Sequence, residues 1–131
     1  MIEAKVERIV SKDEMSYVIF SSDIGKFSML SLENLELKPL SSVKLGFKSS
    51  DVFLSRSRLK KCSVKNEILC TIKRIERGEI IACVHLGSFG YEFESIISSD
   101  SCATLLLKEG EEIFAYIKST SIFISSFDDK H

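Results

Sequence analysis

The stretch FKSSDVFLS at residues 47–55 recurs as IKSTSIFIS at residues 117–125. On both sides of this stretch, the whole of 27–55 aligns without a gap on 97–125 at an offset of 70. Further upstream, VERI at residues 6–9 lies on IKRI at residues 72–75 at an offset of 66. The change of offset predicts four extra residues in the second copy, which we place around residues 87–90. Because a repeat of this kind marks a duplicated unit, we predict two domains, 1–59 and 60–131.

Within each copy the apolar pattern is typical of short strands. In the second copy it predicts a hairpin whose turn is Glu76–Glu79, and then a third strand. A short helix follows, with Ser98 as its N-cap, and two further strands end the copy. The first copy has the same pattern, with a hairpin turn at residues 11–14. We therefore predict an all-β fold with one short helix per repeat, built as two OB-like five-stranded barrels in tandem.

Composition excludes several classes of protein. The 131 residues carry a net charge of −1, which argues against a sequence-independent nucleic-acid binder. No apolar stretch approaches the roughly 18 residues of a membrane span, and no signal peptide is visible, so we expect a cytoplasmic protein. The four cysteines form no CxxC pair, and we interpret them as buried, reduced thiols in preference to a zinc site or disulfides. They are Cys62, Cys70, Cys83 and Cys102.

The sequence offers little catalytic equipment. His85 falls in an alternating strand, where a structural histidine is more common than a general base. The acidic residues are scattered among lysines on presumed solvent faces, and no nucleophile motif or phosphate-binding glycine loop occurs. We therefore expect a binding protein, not an enzyme.

Small hydroxyls and a lysine recur at fixed places in both copies. In the second copy these are Ser98, Ser101, Lys118 and Ser119, and in the first copy Ser28, Ser31, Lys48 and Ser49. A deprotonated tetrahedral oxyanion needs only hydrogen-bond donors and one or two cations, so such a set suits it. Residue types alone, however, favour the simpler interpretation that the serines are caps and turns and the lysines are solvated.

Three motifs in order resemble the molybdate-binding Mop family. Ser63-Val64-Lys65-Asn66 is similar to the family's opening Ser-Ala-Arg-Asn, with a lysine for the arginine. The segment 98–110 has the family's two spaced hydroxyls followed by Leu-x-Leu-x-x-Gly, and 117–124 has its final Lys-Ser strand. The last motif occurs again at 47–54, so the chain resembles a tandem, or di-Mop, TOBE-type protein of the molbindin kind.

That resemblance implies molybdate or tungstate held by donors at interfaces between units, with no direct metal ligand and no organic cofactor. The implied ligand residues are Ser63, Lys65, Asn66, Ser98, Ser101, Lys118 and Ser119, with Ser28, Ser31, Lys48 and Ser49 in the first copy. No counterpart of the Ser63–Asn66 loop precedes the first copy in this sequence, so we expect that copy to bind less well.

The function expected from the resemblance is reversible oxyanion binding for storage, buffering or delivery. The alternative is a ligand-sensing module that acts through a partner, namely a molybdate transporter or regulator protein. A third hypothesis, an RNA-binding OB domain, would need exposed aromatic and basic residues on one face, and the chain has no Trp. We expect self-association as a trimer or dimer, with no nucleic acid and no membrane as partner.

Overall fold

The computed structural model describes residues 1–128 and consists almost entirely of strands. The first half contains β1 (Ile2–Lys12), β2 (Met15–Ser22), β3 (Gly25–Ser31), β4 (Ser42–Gly46), a first 3₁₀ turn (Ser49–Asp51) and β5 (Phe53–Ser55). The second half contains β6 (Asn66–Arg77), β7 (Ile81–Ser88), β8 (Tyr91–Ser98), α1 (Ser99–Thr104), β9 (Glu112–Ile117), a second 3₁₀ turn (Ser119–Ser121) and β10 (Phe123–Asp128). The prediction of an all-β fold with two OB-like units in tandem is confirmed.

The long first strand of each half has the same irregularity. In β1 the alternating side chains Ile2, Ala4 and Val6 are buried, and the pairing with β2 shifts register just after Val6. In β6 the pairing with β7 shifts at the equivalent place, between Ile72 and Arg74. A bulge bends a strand and increases its twist, which lets one strand serve both sides of a small, strongly curved sheet. Its recurrence at an offset of 66 supports the duplication.

The two sheets exchange their last strands. One sheet has the order β10-β4-β1-β2-β3 and the other β5-β9-β6-β7-β8. Thus β5, from the first half of the chain, pairs with β9 of the second half, and β10 returns to pair with β4. The division into 1–59 and 60–131 stays a prediction about chain order, because the sheets themselves each contain residues from both ranges.

A continuous apolar core runs through both sheets. Its fully buried side chains include Phe20, Phe27 and Leu45 from the first sheet and Ile68 and Ile113 from the second, all at most 1% exposed. Since one small barrel buries little apolar surface by itself, a shared core stabilises the pair more than two separate cores would.

The strand registers correct the internal alignment. The β2–β3 turn pairs Ser22 with Gly25, and the β7–β8 turn pairs Ser88 with Tyr91, again at an offset of 66. The two turns therefore have the same length, and our placement of the extra residues around 87–90 is wrong. Because β4 and β9 correspond at an offset of 70, the four extra residues lie between β8 and β9, in the segment that contains α1.

The predicted helix forms only in the second half. Ser98 is its N-cap as expected, and its hydroxyl accepts a hydrogen bond from the Ser101 N–H at 3.0 Å. The equivalent stretch in the first half, residues 32–41, contains no helix in the described structure, so the expectation of one helix per repeat is wrong. This stretch is shorter and contains Pro39, and it is held instead by Ser16, whose hydroxyl donates to the Glu33 carbonyl and accepts from the Leu35 N–H.

The four cysteines differ in how deeply they are buried. All four thiols are free, but only Cys70 and Cys102 are buried, while Cys83 is half-buried and Cys62 is exposed. The expectation of four buried thiols is therefore wrong for Cys62, which lies in the irregular connector before β6.

Within residues 1–128, α1 is far too short to cross a membrane, and no other helix is long and apolar enough to do so.

Candidate functional site

Asn66 lies where the two halves of the chain meet. It is the first residue of β6, is 0% exposed, and uses its side-chain amide as a strand partner for Ser28 on the outer edge of β3. Its Oδ1 accepts from the Ser28 N–H at 2.7 Å, and its Nδ2 donates to the Ser28 carbonyl at 3.0 Å. Since β3 is an edge strand with otherwise unpaired backbone groups, this double hydrogen bond both covers the edge and fixes Ser28.

The Ser28 hydroxyl meets a second hydroxyl from the far end of the chain. The two oxygens of Ser28 and Ser119 are 2.5 Å apart, and Ser119 is half-buried in the second 3₁₀ turn. Lys118 precedes it as the N-cap of that turn, with an exposed side chain and a carbonyl that accepts from the Ser121 N–H. We call Ser28, Asn66 and Ser119 the junction group.

The loop that begins at Ser63 leads directly into Asn66 of the junction group. Ser63 and Lys65 are exposed and directly precede the buried Asn66. Ser31 lies three residues beyond Ser28 at the end of β3, half-buried, and its hydroxyl accepts from the Glu33 N–H at 3.2 Å. Seven of the eleven residues singled out from the sequence thus lie in the junction group or within three residues of it along the chain: Ser28, Ser31, Ser63, Lys65, Asn66, Lys118 and Ser119.

Ser98 and Ser101 lie apart from this group. Both are exposed at the start of α1, and their hydroxyls are 2.8 Å from each other. No hydrogen bond of residues 1–128 joins them to Lys118 or Ser119, so the chain does not by itself bring this pair to the junction group.

Lys48 and Ser49 occupy the equivalent place in the other sheet. They precede and begin the first 3₁₀ turn, which packs against β8 as the second turn packs against β3. Ser49 lines a cavity of about 460 Å³ together with His85, Phe93 and Glu94.

The register of β8 places a carboxylate where β3 has a serine. Ser28 pairs with Ile19 in the first sheet, and Glu94 pairs with His85 at the same offset in the second. Glu94 is therefore the structural counterpart of Ser28, a residue that the sequence alignment had matched with Ser98. The signal for the correct match was present, since Val18 and Val84 already fix the offset at 66 before the turn. The junction group and the equivalent place in the other sheet therefore differ chemically, with a hydroxyl in the first and a carboxylate in the second.

The junction group has no acid in its hydrogen-bond network and is largely buried, since Ser28 is 4% exposed, Asn66 is 0% exposed and Ser119 is half-buried. In residues 1–128, the side chains of Ser28, Asn66 and Ser119 make hydrogen bonds only within this group. One hydroxyl hydrogen lies between the two oxygens, which leaves the other hydroxyl hydrogen to bond elsewhere, and the exposed side chain of the neighbouring Lys118 carries a positive charge. A carboxylate at this position would repel an anion, and none takes part in the hydrogen bonds of these three side chains.

The protein is a small all-β chain made of two interlocked OB-like units. Residues 63–124 match the family model described as the TOBE domain. A crystal structure of the cytoplasmic molybdate-binding protein ModG, with molybdate bound, superposes with a TM-score of 0.86 at 25% identity, over 94% of this chain and 92% of that one. Residues 63–124 thus match the TOBE domain family, and the whole chain has the fold of ModG.

Two further similarities involve proteins of different size. The molybdenum import ATP-binding protein ModC of Brucella abortus is 29% identical over 95% of this chain, which spans about a third (35%) of the ModC length. A molybdate-binding protein from Sporomusa ovata is 32% identical, and the match covers 46% of this chain and 90% of that one, with a TM-score of 0.45.

Proposed function

We propose that this chain binds molybdate or tungstate reversibly in the cytoplasm, for storage, buffering or delivery, and that it is not an enzyme. The observation that carries the proposal is the pair of hydroxyls from Ser28 and Ser119, held 2.5 Å apart by buried Asn66 and next to Lys118. The similarity to ModG, which is described as binding molybdate in the cytoplasm, supports the choice of ligand.

In this proposal the residues have different roles. The contact between Ser28 and Ser119 opens when the oxyanion binds, so that both hydroxyls donate to it. Lys118 and Lys65 supply the charge, with Ser63 as a further donor. Asn66 is fully buried and bound to Ser28, so it positions the site and does not touch the ligand. Ser31 supports the end of the strand that carries Ser28.

In this proposal Ser98 and Ser101 bind the oxyanion only if two or more chains associate. Their exposed hydroxyls complete an oxyanion shell when α1 of one chain meets the junction group of another, which is a reason to expect a homo-trimer or homo-dimer. Lys48 and Ser49 contribute less, because the Glu94 carboxylate faces the same cavity and repels an anion.

Selectivity follows from rigid donors. Sulfate has the same charge as molybdate but shorter bonds, so some donors would fall outside hydrogen-bond range and stay unpaired, at roughly 1–3 kcal/mol each. Two lost contacts would already give about a hundredfold preference. Phosphate usually carries a proton at neutral pH, and a shell of donors offers that proton no acceptor.

Native mass spectrometry with and without molybdate tests the proposal, because it counts subunits and bound anions together. We expect an oligomer that takes up molybdate and tungstate, and a melting temperature that these anions raise while equal sulfate or phosphate does not. Lys118→Ala should lower bound molybdate more than the matched Lys48→Ala. Equal losses would contradict the site, and equal stabilisation by sulfate would contradict the function.

A second candidate is a ligand-sensing module that acts on a transporter or regulator. The observation that favours it is the similarity to ModC, an ATP-binding import protein, over 95% of this chain. Molybdate-dependent binding to a purified transporter ATPase would support sensing, whereas uptake with no effect on such a partner would favour storage or delivery.

A further inference from the structure

A cluster of metal-binding side chains lies on the outer face of the second sheet, away from the junction group. Cys83 and His85 are two residues apart on β7, so they share one face of the strand. Glu76, on β6, is directly opposite Cys83. Their ligand atoms all lie within 4.8 Å of one another. We propose that Glu76, Cys83 and His85 bind a zinc-class divalent cation.

The chemistry of the three ligands selects that class of ion. A thiolate, an imidazole nitrogen and a carboxylate are the ligands that Zn²⁺ takes in proteins, whereas Mg²⁺ and Ca²⁺ prefer oxygen alone. Tetrahedral zinc with bonds of about 2.0–2.3 Å needs ligand atoms roughly 3.3–3.8 Å apart. All three ligand atoms already lie within 4.8 Å of one another. His85 Nε2 and Glu76 Oε1 are 2.5 Å apart, so this pair must separate by about 1 Å to admit the ion.

A neighbouring carboxylate orients the histidine. The Nδ1 of His85 lies 3.1 Å from Glu94 Oε2, on the next strand, while Nε2 faces Glu76. Protein zinc sites commonly hold the non-ligating imidazole nitrogen with a carboxylate in this way, which fixes the ring and raises its basicity. Glu94 is therefore a positioning residue in this proposal. The histidine side chain is only 21% exposed, so its orientation is well restrained.

The first half of the chain shows that the fold does not require these residue types. The register places Val10 where β6 has Glu76, Tyr17 where β7 has Cys83, and Ile19 where it has His85. An apolar or aromatic side chain thus serves the same position in the same fold. With Glu94 in place of Ser28, four positions of one face have changed to residues that attract or orient a cation.

Arg74 is the group that an ion must displace. Its guanidinium lies 3.2 Å from Glu76 Oε1 and 3.2 Å from His85 Nε2. The Arg74 side chain is 60% exposed, so it can turn into solvent at little cost. The hydrogen bond from His85 and the charge of Arg74 lower the pKa of Glu76, whereas burial and the nearby carboxylates raise the pKa of the Cys83 thiol. The ion replaces Arg74 as the local positive charge.

Cobalt titration of the reduced, full-length protein tests the proposal, because Co²⁺ bound to a thiolate gives a charge-transfer band in the near ultraviolet. We expect this band to saturate at one ion per chain and to disappear when Zn²⁺ is added. Cys83→Ser should abolish the band. His85→Ile, which introduces the residue of the first half, should weaken binding by roughly tenfold or more, as should Glu94→Gln.

Cys62→Ser is the matched control, since Cys62 is the exposed thiol and lies outside the cluster. This variant should keep the full band. Circular dichroism identifies any variant that fails to fold, and Glu94→Gln keeps all three ligands if Cys83→Ser does not fold. Loss of the band in Cys62→Ser, or binding that is unchanged in His85→Ile, would overturn the proposal.

Discussion

Asn66 is a polar side chain at a position where strand periodicity places the core. Its neighbours two and four residues along β6, Ile68 and Cys70, are buried and apolar on the same face. Asn66 is tolerated there because both ends of its amide are paired with the Ser28 backbone. One residue thus joins the start of the second half to the edge of the first sheet and sets the position of the Ser28 hydroxyl.

Replacing Asn66 with Ala should lower the free energy of unfolding by about 2–4 kcal/mol, because the Ser28 N–H and carbonyl would both stay buried and unpaired. Asn66→Asp should also destabilise, since the carboxylate cannot donate to the Ser28 carbonyl. Urea denaturation measures both effects, with exposed Asn34→Ala as the control. An Asn66→Ala protein as stable as the control would show that water replaces the amide.

The cysteines should differ widely in reactivity. Burial raises the pKa of the Cys70 thiol to about 12, and that side chain is 3% exposed, whereas Cys62 is exposed. At pH 8 such a thiol carries roughly a thousandfold less thiolate than an ordinary one, and the reagent also cannot reach it. Alkylation followed by mass spectrometry should label Cys62 first and Cys70 only on unfolding. Labelling of Cys62 and Cys70 at equal rates would contradict the burial of Cys70 in the core.

At the scale of elements, the sequence predicted the strands better than their partners. Periodicity and turn residues locate β1, β2, β6 and β7, and the hairpin turn at Asp13 and Glu14 forms as predicted, with φ of 52° and 62°. What periodicity cannot report is which edge a short strand joins. Both β5 and β10 follow a 3₁₀ turn that carries them to the other sheet, and this depends on contacts across the whole chain.

The same limit explains the error in the repeat register. Chance identities of serine at offset 70 outweighed the apolar pattern at offset 66, because serine is common in this chain and carries little positional information. The hairpin register, Phe20 with Phe27 and Leu86 with Phe93, depends on the fixed two-residue period of the strands. The repeated hydroxyls indicated Ser28 and Ser119, and the family resemblance added Asn66, but only the structure shows that the three touch.

At the scale of the whole molecule, the exchanged strands make the two units interdependent. Without β10, the first sheet ends at an unpaired β4, and without β5 the second sheet ends at an unpaired β9. Each unit would also lose its share of the common core. The two units therefore form one interdependent structure and not two independent domains joined by a linker.

Fragments 1–59 and 60–131 should accordingly fail to give folded monomers. We expect each fragment to be unfolded or to associate with copies of itself, because its sheet lacks the strand that the other fragment carries. Equal amounts refolded together should recover a cooperative unfolding transition and a complex of the two fragments in native mass spectrometry. A fragment that unfolds cooperatively as a monomer would show that β5 or β10 can close its own half.

The return of β10 to β4 also bears on how the protein is made. A chain leaves the ribosome from its N-terminus, and domains generally fold in that order as they emerge. Here β4 ends at residue 46, but its partner begins at residue 123, so the nascent first sheet keeps an open edge while most of the chain is synthesised. An open strand edge is a template for wrong pairing, so we expect the growing chain to need chaperones until β10 has been made. The first sheet is therefore completed only when a strand from the second half of the chain has been made.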